Sequence, residues 1–70
     1  MGMAGKIEHL LRERKIKKKE LAEKLGTTAS NLSGKLNRDN FSEKELQEIA
    51  EACNATFEGS FILNDTGKTI

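Results

Sequence analysis

The chain has 70 residues, 36% hydrophobic and 33% charged, with a net charge of +1, a single cysteine and a single histidine. A chain this short makes one small domain burying only about 60% of its unfolded surface, so self-association is an early expectation. The composition excludes a disordered tail, the net charge argues against a nonspecific polycation, and no apolar run approaches the roughly 20 residues that span a bilayer.

The opening MGMAGKIEHL has no apolar core of signal-peptide length, and Cys53 lacks a second cysteine for an internal disulfide, so a cytoplasmic protein is expected. Ile7, Leu10 and Leu11 recur at i, i+3 and i+4, predicting a first amphipathic helix from about Lys6 to Arg14. His9 falls off that stripe and has no ligand-spaced partner, so it reads as a surface histidine. Ile16 is an isolated apolar anchor in the connection that follows. Arg12, Arg14, Lys15, Lys17, Lys18 and Lys19 crowd residues 12–19, whereas Glu43, Glu45, Glu48, Glu51 and Glu58 gather acid further on. One end is basic and the other acidic.

Two apolar stripes then flank a glycine. Leu21, Ala22 and Leu25 predict a second helix from about Lys18, and Leu32 and Leu36 predict a third. Gly26, one residue past the last leucine of the first stripe, suits a left-handed helix end. Either Thr27 or Thr28 could cap the next helix. The run ELAEKLGTTASNLS resembles the helix-turn-helix of the lambda-repressor-like family, also called Cro-type or XRE-type, in Ala22, Gly26 and Leu32. The likeness covers about Lys6 to Cys53. It implies that the second helix of the pair, within residues 18–36, enters the major groove of double-stranded DNA while the first lies across the backbone.

The chain departs from its relatives at several positions. Lys15 and Lys17 stand where relatives carry a helix-ending glycine and a capping Ser or Thr. Lysine cannot accept the orphan N–H groups, and its charge opposes the helix dipole by ~0.3–1 kcal/mol. The second helix is therefore expected to fray at its start, unless Glu20 and Glu23 repair the charge, with phosphate attraction as the gain. Leu36 follows Leu32 by four positions where relatives use three.

At about 100° per residue, the face opposite Leu32 and Leu36 carries Ser30, Asn31, Gly34 and Asn37, flanked by Ser33 and Lys35. The resemblance implies base contacts from Thr28 to Asn31. The candidate base-contact set is Thr28, Ala29, Ser30, Asn31, Ser33 and Gly34. Asn31 leads it, because an amide pairs bidentately with adenine. Ala29 and Gly34 occupy places where relatives often have long amides, so the face supplies few hydrogen bonds. Lys17, Lys18, Lys19, Lys35, Asn37 and Arg38 are the phosphate candidates, each neutralised phosphate adding about −0.9 to the salt slope.

Asn37 to Asn40 form a polar turn, after which Ser42 and Glu45 spell a capping box, with Phe41 and Leu46 as a hydrophobic staple. Leu46, Ile49, Ala50 and Cys53 carry a fourth helix from about Glu43 to Cys53, with Cys53 a small core hydrophobe. From Ala55 the period changes to two: Ala55, Phe57, Gly59, Phe61 and Leu63 alternate with Thr56, Glu58, Ser60 and Ile62, predicting a strand. Asn64 to Gly67 then turn the chain, and Lys68 to Ile70 can return as a short second strand. Phe57, Gly59, Phe61 and Leu63 are the dimerisation candidates, since an unpaired strand needs a partner and some relatives pair this strand with its copy. A hairpin packed on its own helices is the alternative.

Two motifs in the tail resemble chemistry without supporting it. Asp65-Thr66-Gly67 matches the aspartic-protease triplet but lacks a second carboxylate and an all-β cleft. Gly67-Lys68-Thr69 ends like a phosphate-binding loop, but Ile62 stands where its first glycine belongs.

The expected protein is mostly α: residues 1–54 form a four-helix lambda-repressor-like domain, and residues 55–70 form a C-terminal β-strand or hairpin. No catalysis, cofactor or metal is expected. The resemblance implies a bacterial or phage-encoded, nucleoid-associated regulator, a repressor acting as a homodimer on a palindromic operator. Two rivals are an antitoxin-like protein that also holds a protein partner through its acidic side, and an interaction module without DNA binding.

Overall fold

The structure, a computed structural model, describes residues 2–70; Met1, at the head of the expected helical unit, lies outside the described residues. The order is α1 (Ala4–Arg14), α2 (Lys18–Leu25), α3 (Ala29–Arg38), α4 (Glu43–Ala52), β1 (Ala55–Phe57) and β2 (Phe61–Leu63). The expected apolar stripes are the buried ones, with Leu25 alone of them half-buried: Ile7, Leu10 and Leu11 of α1, Leu21 and Ala22 of α2, Leu32 and Leu36 of α3, and Leu46, Ile49 and Ala50 of α4. Burying one such leucine or isoleucine stabilises the fold by about 1.5–3 kcal/mol. Cys53 joins this core, and burial pushes its thiol above the ordinary range. Among the described residues, no helix is long and apolar enough to cross a membrane.

The helix ends explain the boundaries. Helix α1 starts at Ala4, ahead of the expected Lys6, because the Asp39 carboxylate, from the end of α3, accepts the N–H groups of Met3 (2.8 Å) and Ala4 (2.9 Å). It ends with Lys15 in the left-handed conformation (φ 55°), and the Ile16 N–H donates back to the Leu11 carbonyl at 2.9 Å. A lysine thus adopts the geometry usually left to glycine. Helix α2 is regular from Lys18, and Glu20 reaches back to accept the Lys17 N–H at 3.1 Å, the repair open to this helix start. Lys17 itself has no lone pair to return that bond. Helix α4 begins with the full Ser42–Glu45 capping box and ends at Ala52, one residue before the expected Cys53.

The C-terminal segment is not the continuous strand that its alternation predicted. The chain reverses at Glu58-Gly59-Ser60, with Gly59 at φ 78°, and β1 pairs antiparallel with β2 in the register Ala55↔Leu63, Thr56↔Ile62, Phe57↔Phe61. Odd-numbered residues face odd-numbered residues across this turn, so the inward side stays the same before and after it. A period-two pattern therefore cannot reveal the fold-back. The tail returns along β2 as an isolated bridge instead of the expected second strand: Ile62 bridges Thr69, the Ile70 N–H donates to the Phe61 carbonyl at 2.8 Å, and the Leu63 N–H donates to the Lys68 carbonyl at 2.9 Å.

Within one chain, the four dimerisation candidates have different surroundings. Phe61 is fully buried and Leu63 nearly so in the chain's own core, with Phe57 half-buried against Phe61 at a ring-centroid distance of 5.2 Å and Gly59 exposed at the turn. The Phe61 and Leu63 side chains are thus spent on the chain's own core.

Arg14 ties this hairpin to the helices. Its Nε donates to the Cys53 carbonyl (2.9 Å), its Nη2 to the Asn54 carbonyl (2.7 Å), and both terminal nitrogens to the Asp65 carboxylate (2.7 and 2.9 Å). The last turn of α4 holds no base, so its orphan carbonyls are served from outside by Arg14 and by Lys24, which donates to the Ala52 carbonyl at 3.2 Å. The guanidinium holds the Asp65 carboxyl down to about 2.

Candidate nucleic-acid interface

The site is built on the turn between α2 and α3. Gly26 closes α2 at φ 76°, its N–H donating to the Glu23 carbonyl at 3.1 Å, and the Thr27 N–H reaches the Ala22 carbonyl at 2.9 Å. The chain then extends through Thr28, whose hydroxyl accepts the Asn31 N–H at 3.1 Å and starts α3. Of the two threonines, Thr28 is the cap. Thr27 acts on a side chain instead, its hydroxyl accepting from the Asn31 amide at 3.3 Å and so orienting it. Leu32 and Leu36 turn inward, and the rest of α3 is carried on the surface by the helix before it.

Of the base-contact candidates, Thr28, Ser30 and Asn31 are exposed, while Ala29, Ser33 and Gly34 are half-buried. They share one rod with small side chains, which lets a helix backbone approach base edges closely. Asn31 keeps its carbonyl oxygen and one amide hydrogen beyond the Thr27 bond, the pair a bidentate contact to adenine requires.

The phosphate candidates divide into two groups. Lys17, Lys18 and Lys19 are exposed at the start of α2, with Lys18 lightly paired to Glu8 at 3.5 Å, and Asn37 and Arg38 are exposed at the end of α3. Lys35 is different. Its ammonium is paired with Glu45 of α4, and both residues line a cavity of about 150 Å³ together with Leu25, Asn31, Phe41 and Ile49. Glu45 also accepts the Ser42 N–H at 3.0 Å, and the Lys35 bond first, then this one, hold its carboxyl down to about 2. Lys35 is thus the phosphate candidate whose charge is shared with α4. Arg14, counted in the basic run of residues 12–19, is likewise engaged internally.

Two features of the site carry no local sequence signal. The Lys35–Glu45 pair joins two helices, and Asp39, beside the phosphate candidates, serves the start of α1. Among the described residues, no group of acids, histidines and cysteines is placed to hold a metal ion.

The profile of the Cro/C1-type helix-turn-helix DNA-binding domain matches residues 6–58, which take in most of α1, all of α2 to α4, and β1. The chain belongs to this family. Comparison with curated proteins and with solved structures gave no match. As a Cro/C1-type domain the chain is a DNA-binding regulator, and the turn at Gly26 and the surface rod α3 are its helix-turn-helix.

Proposed function

We propose that this Cro/C1-type domain is a sequence-specific repressor that binds double-stranded DNA as a homodimer and acts by occupying an operator. The observation that carries the reading is α3, which keeps Thr28, Ser30 and Asn31 exposed while both of its leucines are buried. Asn31 and the small residues around it read base edges, and Lys17, Lys18, Lys19 and Asn37 hold phosphates.

The dimer has an open edge at its disposal. Phe61 and Leu63 direct their backbone groups to the tail, so the ladder bonds of β1 and β2 run through Thr56 and Ile62. The backbone groups of Ala55 and Phe57 then point away from the sheet, as on any edge strand. A second copy pairing antiparallel about Thr56 would set Ala55 opposite Phe57 and join the two C-terminal segments. Two α3 helices about 34 Å apart would then read a palindrome.

One observation supports a second reading. The groove beside that edge is lined by Glu43, Gln47, Glu51, Thr56, Phe57 and Glu58, an acidic surface suited to a cationic protein partner. Sedimentation at micromolar concentration separates the two, since a dimer using the edge doubles the mass and a partner site leaves a monomer.

The test of function is a mobility-shift series on random-sequence duplexes followed by selection. Replacing Lys18 or Lys19 with Ala is expected to weaken every sequence alike, and each phosphate left without its cation makes the salt slope about 0.9 less steep. Asn31→Ala is expected to relax one base position by about 1–3 kcal/mol. Absence of duplex binding at low salt would overturn the proposal.

A further inference from the structure

Gly34 stands in the middle of α3, where glycine costs roughly 1 kcal/mol in helix stability relative to alanine. Packing does not require it. A Cβ built there would meet none of the protein's core; its nearest neighbours all belong to the Arg38 guanidinium, with Nη1 at 3.4 Å, Nη2 at 3.9 Å and the central carbon at 4.0 Å. The arginine, one turn further along, lies back over the bare backbone of the glycine. Both residues fall on the side of α3 opposite Leu32 and Leu36.

The charge of this guanidinium is uncommitted. Among the described residues, the ion pairs engage Arg14, Lys18, Lys35 and Lys68, together with His9, and none engages Arg38. The acid beside it in sequence, Asp39, is turned to the start of α1, where one oxygen accepts two backbone N–H groups. A planar fork of five donors thus rests on the outward side of the helix, amid side chains too short to hide it. That fork matches the O6 and N7 acceptors of guanine in the major groove.

We propose that Arg38, seated over Gly34, reads a guanine, so that the sparse hydrogen-bonding face of α3 is completed by a side chain from its last turn. The inference rests on the DNA-binding reading of α3. It assigns Arg38 to a base instead of a phosphate, and gives Gly34 the role of a seat instead of a contact.

The experiment is a binding selection on random duplexes with the full chain, run in parallel for the unaltered protein, Arg38→Ala, Arg38→Lys and Gly34→Leu. The unaltered protein should enrich a motif with an invariant G·C pair, and Arg38→Ala should lose roughly tenfold to a hundredfold of the discrimination at that pair alone. Gly34→Leu, a better helix former that fills the seat, should keep its melting temperature and lose most at the same pair, beyond any uniform loss from the closer approach that a small residue allows. Arg38→Lys keeps the charge and so the salt slope, yet should recover the preference only in part, because an ammonium lacks the planar fork. If Arg38→Ala weakens all sequences equally, makes the salt slope about 0.9 less steep and is fully rescued by lysine, Arg38 holds a phosphate and the proposal fails. If the unaltered protein binds no duplex at all, the DNA-binding reading fails first.

Discussion

Arg14 and Arg38 are the last residues of α1 and α3, and they occupy opposite kinds of surroundings. The Arg14 side chain is only 16% exposed and donates to two backbone carbonyls and a bidentate carboxylate. Arg38 is exposed and rests over a glycine. The junction of α1, α4 and the hairpin is a place where donors and acceptors answer one another, so its charges hold structure. The outer side of α3 has donors without internal acceptors, and such groups become available to a ligand. The residue type does not distinguish the two roles; the state of its hydrogen-bonding groups does.

The two regions should therefore fail differently. The largest effect belongs to Phe61→Ala, which empties the centre of the junction and should cost about 3–5 kcal/mol in urea unfolding. That is a large share of the stability expected for so short a chain, roughly 0.05–0.15 kcal/mol per residue. A small loss would mean the hairpin is peripheral. Next comes Arg14→Met, expected to lower the melting temperature more than Asp65→Asn does, because it also leaves the Cys53 carbonyl unserved and takes one of two donors from the Asn54 carbonyl. Equal losses would reduce Arg14 to a surface ion pair.

Acid should come third. Glu45 and Asp65 are held down to about 2 from ordinary values of 4.5 and 3.8. A carboxyl lowered in the folded state contributes stability above its unfolded value, and that contribution is lost as pH falls from about 4.5 toward 2. Thermal melts across that window should show the loss, and Lys35→Ala should remove the larger share of the part due to Glu45, leaving what the Ser42 N–H supplies. The smallest effect on stability is expected from Arg38→Ala, within about 0.5 kcal/mol, because nothing inside the molecule depends on that side chain. A larger loss would erase the contrast with Arg14.

Much of this was legible in the sequence. The four stripes, the Gly26 turn and the Ser42–Glu45 cap are local patterns with one physical solution each, and the structure follows them. What escaped was non-local. Asp39 capping α1, Arg14 closing α4 and Glu45 holding Lys35 all join residues distant along the chain or set on different helices, and no spacing rule reveals them. The hairpin was hidden for another reason: its register preserves the alternation, and Gly59 alone marked the reversal. The base-contact face was readable by helical angle. The seat of Arg38 over Gly34 depends on a rotamer, which a sequence does not print.

The most direct test of the central claim, that the outer side of α3 and the start of α2 meet DNA, is an amide-resolved NMR titration of the protein with a short random-sequence duplex at low salt. Shifts are predicted to be confined to Lys17–Lys19 and Thr28–Arg38, with the backbone of α4 and the hairpin left in place. Shifts centred on Glu43, Glu51 and Thr56, or none at all, would contradict it.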